Sequence, residues 1–241
     1  MPCGTTSRRC RLIRTTGRRR TTSSGSGQTV RSLSSAVLRR GGGGRSRAAV
    51  LYGQQRSRMN GVGMVANCQR EAAIECAAGV AEFLGSRGRA VQMAPDLAVA
   101  LGRPELGLPE DRLGEAEFLL AFGGDGTLLA ANRAAAPHRT PVLGVHVGGP
   151  ASFGFMMEAT PAGAIEAVTA VLEQRCRIEE RIMVAAEVLR AGACVRRYSA
   201  LNDLVIRAES RMLKLRVEIS GEYIATYAAD GIILATPTGS T

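Results

Sequence analysis

The sequence predicts an α/β domain with a parallel sheet, followed by an all-β second domain. Three observations predict it. From residue 62 onward, short apolar runs alternate with stretches of helical period. Near residue 178 the apolar period changes to two. Before residue 61 there is little apolar periodicity beyond Leu33, Val37 and Leu38.

The charge divides along the same line. The 241 residues carry 31 Lys+Arg against 21 Asp+Glu, a formal charge of +10. Residues 1–60 hold 14 Arg and no acid, whereas the remainder holds 17 basic and 21 acidic side chains. The basicity therefore belongs to an arm and says nothing about what the folded part binds. An arm rich in Arg, Ser, Thr and Gly buries too little apolar area to offset its ordering entropy, so residues 1–60 read as a disordered extension. The same composition suits an organelle transit peptide, and Met59 offers a later start. Lys214 is the sole lysine, a bias toward Arg that argues for composition more than for a nucleic-acid patch. No partner nucleic acid is expected. No run approaches the ~18 apolar residues of a membrane helix. Six cysteines without paired spacing, and two histidines, argue against a zinc site or disulfide framework and point to a reducing, cytoplasmic setting.

The elements follow in order. Val62-Gly63-Met64-Val65-Ala66 is strand-like. A helix follows, with Ala73, Cys76, Ala77, Val80, Phe83 and Leu84 on one face, ended by Gly85 and Gly88. Residues 90–93 form a second strand, and 94–116, punctuated by Pro and Gly, a long connection. Residues 117–122 are a third strand, 128–136 a helix closed by Pro137, and 141–147 a fourth strand. The α/β domain is expected over residues 61–158. Thr160 and Pro161 open the next helix, carrying Ile165, Val168 and Leu172. Leu213, Leu215, Val217 and Ile219 then alternate with Lys214, Arg216 and Glu218, and 220–222 turn the chain back through 223–227. Residues 159–241 are read as the start of the second domain, cut short at Thr241.

Three segments carry chemistry. Gly123-Gly124-Asp125-Gly126-Thr127 lies between a strand and a helix N-terminus, where glycines let main-chain N–H groups approach a phosphate. A carboxylate in such a loop can hold a divalent cation on the phosphates or accept a proton from an attacking hydroxyl; alternatively, Asp125 simply caps a tight turn. The loop is neither a Walker A sequence nor a complete G-x-G-x-x-G. Asn202 and Asp203 stand at the start of the apolar strand 204–206, an arrangement that alone reads as a cap or Asx-turn. Residues 229–241, ADGIILATPTGST, run from a strand into a loop of hydroxyls and glycines suited to a ligand with sugars and phosphates.

GGDGTLL, ALNDLVI and ADGIILATPTGST, in that order, resemble the NAD kinase family, and the similarity runs from about residue 61 to 241. The resemblance implies an N-terminal α/β domain and a C-terminal β-sandwich. It implies phosphorylation of the 2′-hydroxyl of the adenosine ribose of NAD by ATP, giving NADP and ADP, with Mg²⁺ as the divalent cation and a homo-oligomeric assembly. It makes Asp125 the general base and puts Asp125, Gly126, Asn202, Asp203, Asp230, Thr238 and Thr241 in the NAD site. Gly123, Gly124, Gly126 and Thr127 form the phosphate-binding loop. Against the family pattern, His146 replaces an Asn, about two residues are added between His146 and Phe155, and Ala228 stands where many members carry a cation. The family continues past the final Thr into the rest of a β-domain, so the chain is expected to be C-terminally incomplete. The alternatives are a lipid or diacylglycerol-type kinase, which shares the GGDGT loop, and an inactive nucleotide-binding fragment.

Overall fold

Residues 118–123 are apolar almost without a break, and all six are buried, as expected of a central strand covered on both faces. The computed structural model describes residues 11–16, 29–32, 61–148, 154–191, 193–209 and 212–240. In chain order these form β1 (Arg11–Thr16), β2 (Thr29–Ser32), β3 (Gly61–Ala66), α1 (Glu71–Ser86), β4 (Ala90–Met93), α2 (Pro95–Ala100), α3 (Glu110–Leu113), β5 (Phe118–Gly123), α4 (Asp125–Ala135) and β6 (Val142–His146). Then come α5 (Ala164–Leu172), β7 (Arg177–Ile182), β8 (Val184–Arg190), β9 (Ala193–Ala200), β10 (Asp203–Arg207), β11 (Leu213–Ile219), β12 (Glu222–Ala229) and β13 (Gly231–Ala235).

The chain divides into two compact units between Arg181 and Ile182, with β1 in the first and β2 in the second. In the first unit a six-stranded sheet has the order β4-β3-β5-β6-β1-β7. Its first four strands are parallel: β3 pairs with β4 on one side and with β5 on the other, and β5 pairs with β6. The connection from β3 runs one way to β4, and the chain then returns past β3 to β5. Strand order therefore reverses between β3 and β5, and in open parallel sheets such a reversal opens a crevice at the carboxyl ends.

Residue parity divides the two faces. Met64, Phe118, Leu120 and Phe122 join Ala77, Val80 and Leu84 of α1 and Val168 and Val171 of α5 in one core. On the other face a Cβ at Gly63 would lie 3.2 Å from Leu113, and one at Gly144 would lie 2.7 Å from Leu128. Glycines at these two positions let α3 and α4 approach the sheet closely.

In the second unit every pairing is antiparallel. The strand order is β2-β8-β9 in one sheet, and β10–β13 and β11–β12 form two-stranded ribbons. Along β11 the half-buried residues Leu213, Leu215 and Val217 alternate with exposed Lys214, Arg216 and Glu218. Among the described residues no helix is long and apolar enough to cross a membrane.

The structure differs from the sequence reading in three places. Residues 94–116 contain α2, α3 and a 3₁₀ turn, each begun at or just after a proline (Pro95, Pro104, Pro109) and too short to show a period. The boundary expected after residue 158 falls instead after Arg181, because Ala164, Val168 and Val171 of α5 are buried in the first core. Within residues 1–60, expected to be disordered throughout, β1 pairs with β6 and β2 pairs with β8; the rest of that segment lies outside the described residues.

Phe122 is fully buried at the carboxyl end of the central strand. Phe122→Ala should cost about 3–5 kcal/mol in a denaturant titration, whereas Val99→Ala, at a site 68% exposed, should stay within about 0.5 kcal/mol. Equal losses at the two positions would contradict the assignment of the core.

Candidate active site

The chain leaves β5 through Gly123 and Gly124 and enters α4 at Asp125. This turn lies at the carboxyl end of the sheet where strand order reverses. The ladder continues one step beyond the named strands: Asn67 N–H donates to Phe122 O (2.9 Å), and Val147 N–H donates to Gly123 O (2.8 Å). A Cβ at Gly123 would collide with Thr127 Oγ1 and lie 3.2 Å from the Asn67 Cβ, so only glycine lets these three residues come together. Asn67 is thus part of the crevice. The sequence reading missed it, since a lone Asn after a strand reads as a turn residue.

Asp125 does not cap α4. The N-cap is Gly124, whose carbonyl accepts the first helical bonds from Thr127 and Leu128. The Asp125 carboxylate reaches across the loop instead, where Phe155 N–H donates to Oδ2 (3.0 Å) and Met156 N–H donates to Oδ1 (2.9 Å). The reading of Asp125 as a simple turn cap is corrected by this geometry. A carboxylate has about four lone-pair positions, and among the described residues two of them stay open to a further donor. Its negative charge also sits in the first turn of α4, where the helix dipole favours it.

The segment holding Asp125 is itself stapled to the sheet. His146 N–H donates to Ala159 O (2.7 Å), Glu158 and Ala159 N–H both donate to Gly144 O, and Met157 N–H closes a turn on Gly154 O. Gly154 has φ +53°, and a Cβ there would lie 2.5–2.9 Å from the His146 ring. The replacement His146 therefore packs on the glycine that turns the chain. Phe155 remains 65% exposed despite its apolar ring. Residues 149–153, the middle of the enlarged loop, lie outside the described residues.

Cys68, beside Asn67, has its thiol pushed up to about 11 by burial, with the Asp96 carboxylate adding to the effect. It stays protonated through neutral pH and is no nucleophile there. With an ordinary value of 9.0, the unfolded chain releases this proton first, so its effect is to lower stability as pH rises from about 9 toward 11.

The remaining sequence-predicted residues belong to the second unit. Asp203 opens β10 opposite Ala235 at the end of β13, so Asn202 and Asp203 meet the 236–239 turn that holds Thr238. Asp230 precedes β13, next to the pair Arg207 and Gly231. It lies at the far end of the same ribbon, six residues from the Thr236–Asn202 bond and so roughly 20 Å away at 3.3 Å per residue. Thr241 lies outside the described residues. Among the described residues no group of three or more His, Cys, Asp and Glu side chains gathers as a metal site.

Comparison with known proteins identifies the family. Residues 62–176 match the model of the ATP-NAD kinase N-terminal domain, and residues 201–241 that of the C-terminal domain. The NAD kinase of Moorella thermoacetica is 43% identical over 185 residues, which cover 76% of this chain and 58% of that protein. The NAD kinase of Symbiobacterium thermophilum is 38% identical over 181 residues, covering 74% and 63% respectively. The chain thus spans about three-fifths of the length of these relatives. A crystal structure of yeast NADH kinase complexed with NADH superposes with a TM-score of 0.61 at 21% identity, covering 77% of this chain and 57% of that one. At that identity the likeness shows the fold alone, an α/β domain followed by an antiparallel β region, as the sequence predicts.

Asp125→Asn exchanges one acceptor oxygen for an NH₂ group, leaving either Phe155 or Met156 N–H facing a donor. Hydrogen exchange at that amide should accelerate by tenfold or more, while amides of β5 keep their protection. Unchanged exchange at both would show that the carboxylate does not hold the segment.

Proposed function

The chain belongs to the ATP-NAD kinase family, and we propose that it forms the catalytic portion of an enzyme that phosphorylates NAD on the adenosine 2′-hydroxyl with ATP. The observation that supports this most is the Asp125 carboxylate, oriented by two main-chain N–H groups at the crevice end of the central strands. Phosphoryl transfer asks little covalent chemistry of the protein; positioning and electrostatic stabilisation carry most of it. In this reading Asp125 uses an open lone pair to take the proton of the ribose hydroxyl as that oxygen attacks the γ-phosphorus and ADP leaves. Gly123, Gly124, Gly126 and Thr127 turn N–H groups and a hydroxyl toward the phosphates. Asn202, Asp203 and Thr238 bind the dinucleotide, and Asp230 and Thr241 contribute further contacts to it.

A magnesium ion suits this donor set. Mg²⁺ keeps several waters and is held through one or two carboxylates together with substrate phosphates, so a site with one loop carboxylate, Asp125, is chemically adequate. Bound with ATP, it would screen the charge of the phosphates. Homo-oligomeric assembly and a cytoplasmic setting belong to the same proposal. A lipid-type kinase would share only the 123–127 loop, and the match of residues 201–241 to the C-terminal domain weighs against it.

In the complete protein, Asp125→Asn should lower kcat by about 10²–10⁴ while weakening NAD binding far less. Steady-state kinetics beside direct NAD titration reads both. A variant that keeps most of its kcat would remove Asp125 from the role of base.

A further inference from the structure

One buried hydroxyl joins the two motifs of the second unit. Thr236, just beyond β13, is 4% exposed. Its Oγ1 donates to Leu201 O (2.5 Å) and accepts from Gly239 N–H (3.2 Å). Its own N–H donates to Asn202 O (2.7 Å), and its carbonyl accepts from Gly239 and Ser240 N–H at 3.1 Å. A Cβ at Gly239 would lie 2.6 Å from the Asn202 Cα, so the turn is pressed against the Asn202 backbone. Every bond of this cluster runs within 201–202 and 236–240. Among the described residues the Asn202 Oδ1 is buried and has no hydrogen-bond partner. An unpaired buried acceptor is costly unless a donor arrives, and the hydroxyls of a sugar are donors of suitable kind.

We propose that Thr236 is a positioning residue for the dinucleotide: its hydroxyl clips the Leu201-Asn202 backbone to the 236–239 turn and so fixes the Asn202 carboxamide to receive a ribose hydroxyl. The proposal rests on the NAD-kinase reading above for the identity of the ligand. Residue chemistry explains why threonine stands here. Valine would fill the same buried volume but could neither donate to Leu201 O nor accept from Gly239 N–H. Serine would keep both bonds and lose only a methyl group.

The test compares Thr236→Val with Thr236→Ser in the full chain, using hydrogen exchange at Gly239 N–H and calorimetric titration with NAD. In Thr236→Val the Gly239 amide should exchange at least tenfold faster, and the Kd for NAD should rise about tenfold. In Thr236→Ser both should stay within about threefold of the unaltered chain. Steady-state kinetics of the complete protein should show the valine effect in KM more than in kcat, as expected of a residue that positions a binding group. Equal exchange in the two variants overturns the clip. Faster exchange in Thr236→Val with an unchanged Kd overturns its role in binding. If the unaltered chain binds no NAD, the NAD-kinase reading and the ligand named here both fall, while the exchange comparison still decides whether the clip exists.

Discussion

The Asp125 carboxylate accepts hydrogen bonds from Phe155 and Met156 N–H, 30 and 31 residues further along the chain, and the candidate site is organised around that pair of bonds. They fix the rotation of the side chain, orient its open lone pairs, and tie the segment beyond β6 to the first turn of α4. A hydrogen bond to a charged acceptor is worth about 1.5–3 kcal/mol, so two of them can hold a short turn whose Gly154 adopts a left-handed backbone. Gly144 and His146 fasten the other end of the same segment to the sheet. The catalytic candidate is thus also a structural anchor, and a substitution there changes both roles together.

The sheet places this arrangement. Strand order reverses between β3 and β5, so the residues following these strands, Asn67 and the 123–127 loop, leave the sheet side by side at its carboxyl edge. Gly63 and Gly144 bring α3 and α4 close to one face, while α1 and α5 cover the other. The central strand is consequently dry on both sides. That rigidity suits the candidate site, because the catalysis proposed for it depends on position more than on bond making by the protein.

Much of this was legible in the sequence, for physical reasons. Strands such as 118–122 declare themselves because a strand buried on both faces must be continuously apolar, and β11 because a half-buried strand must alternate. The glycines of the 123–127 loop stood out in the sequence, and the structure shows why Gly123 must be one: a Cβ there would collide with Thr127 Oγ1. The helices of 94–116 were hidden because four to six residues are too few to display a period. The domain boundary was misplaced because the apolar stripe of α5 does not reveal which core it enters. The partners of Asp125 were invisible because no local pattern encodes a contact across 30 residues. Thr236 is hidden for a related reason: a buried hydroxyl with two partners reads the same as one in a loose loop.

The most direct test is to titrate NAD into the isotopically labelled chain and follow its main-chain amide resonances. The account predicts saturable shifts at Gly124, Gly126, Phe155 and Met156 and in the 236–239 turn, with residues 133–138 at the far end of α4 unmoved. Shifts confined to other surfaces, or none along 123–127 and 154–157 at saturating NAD, would contradict it.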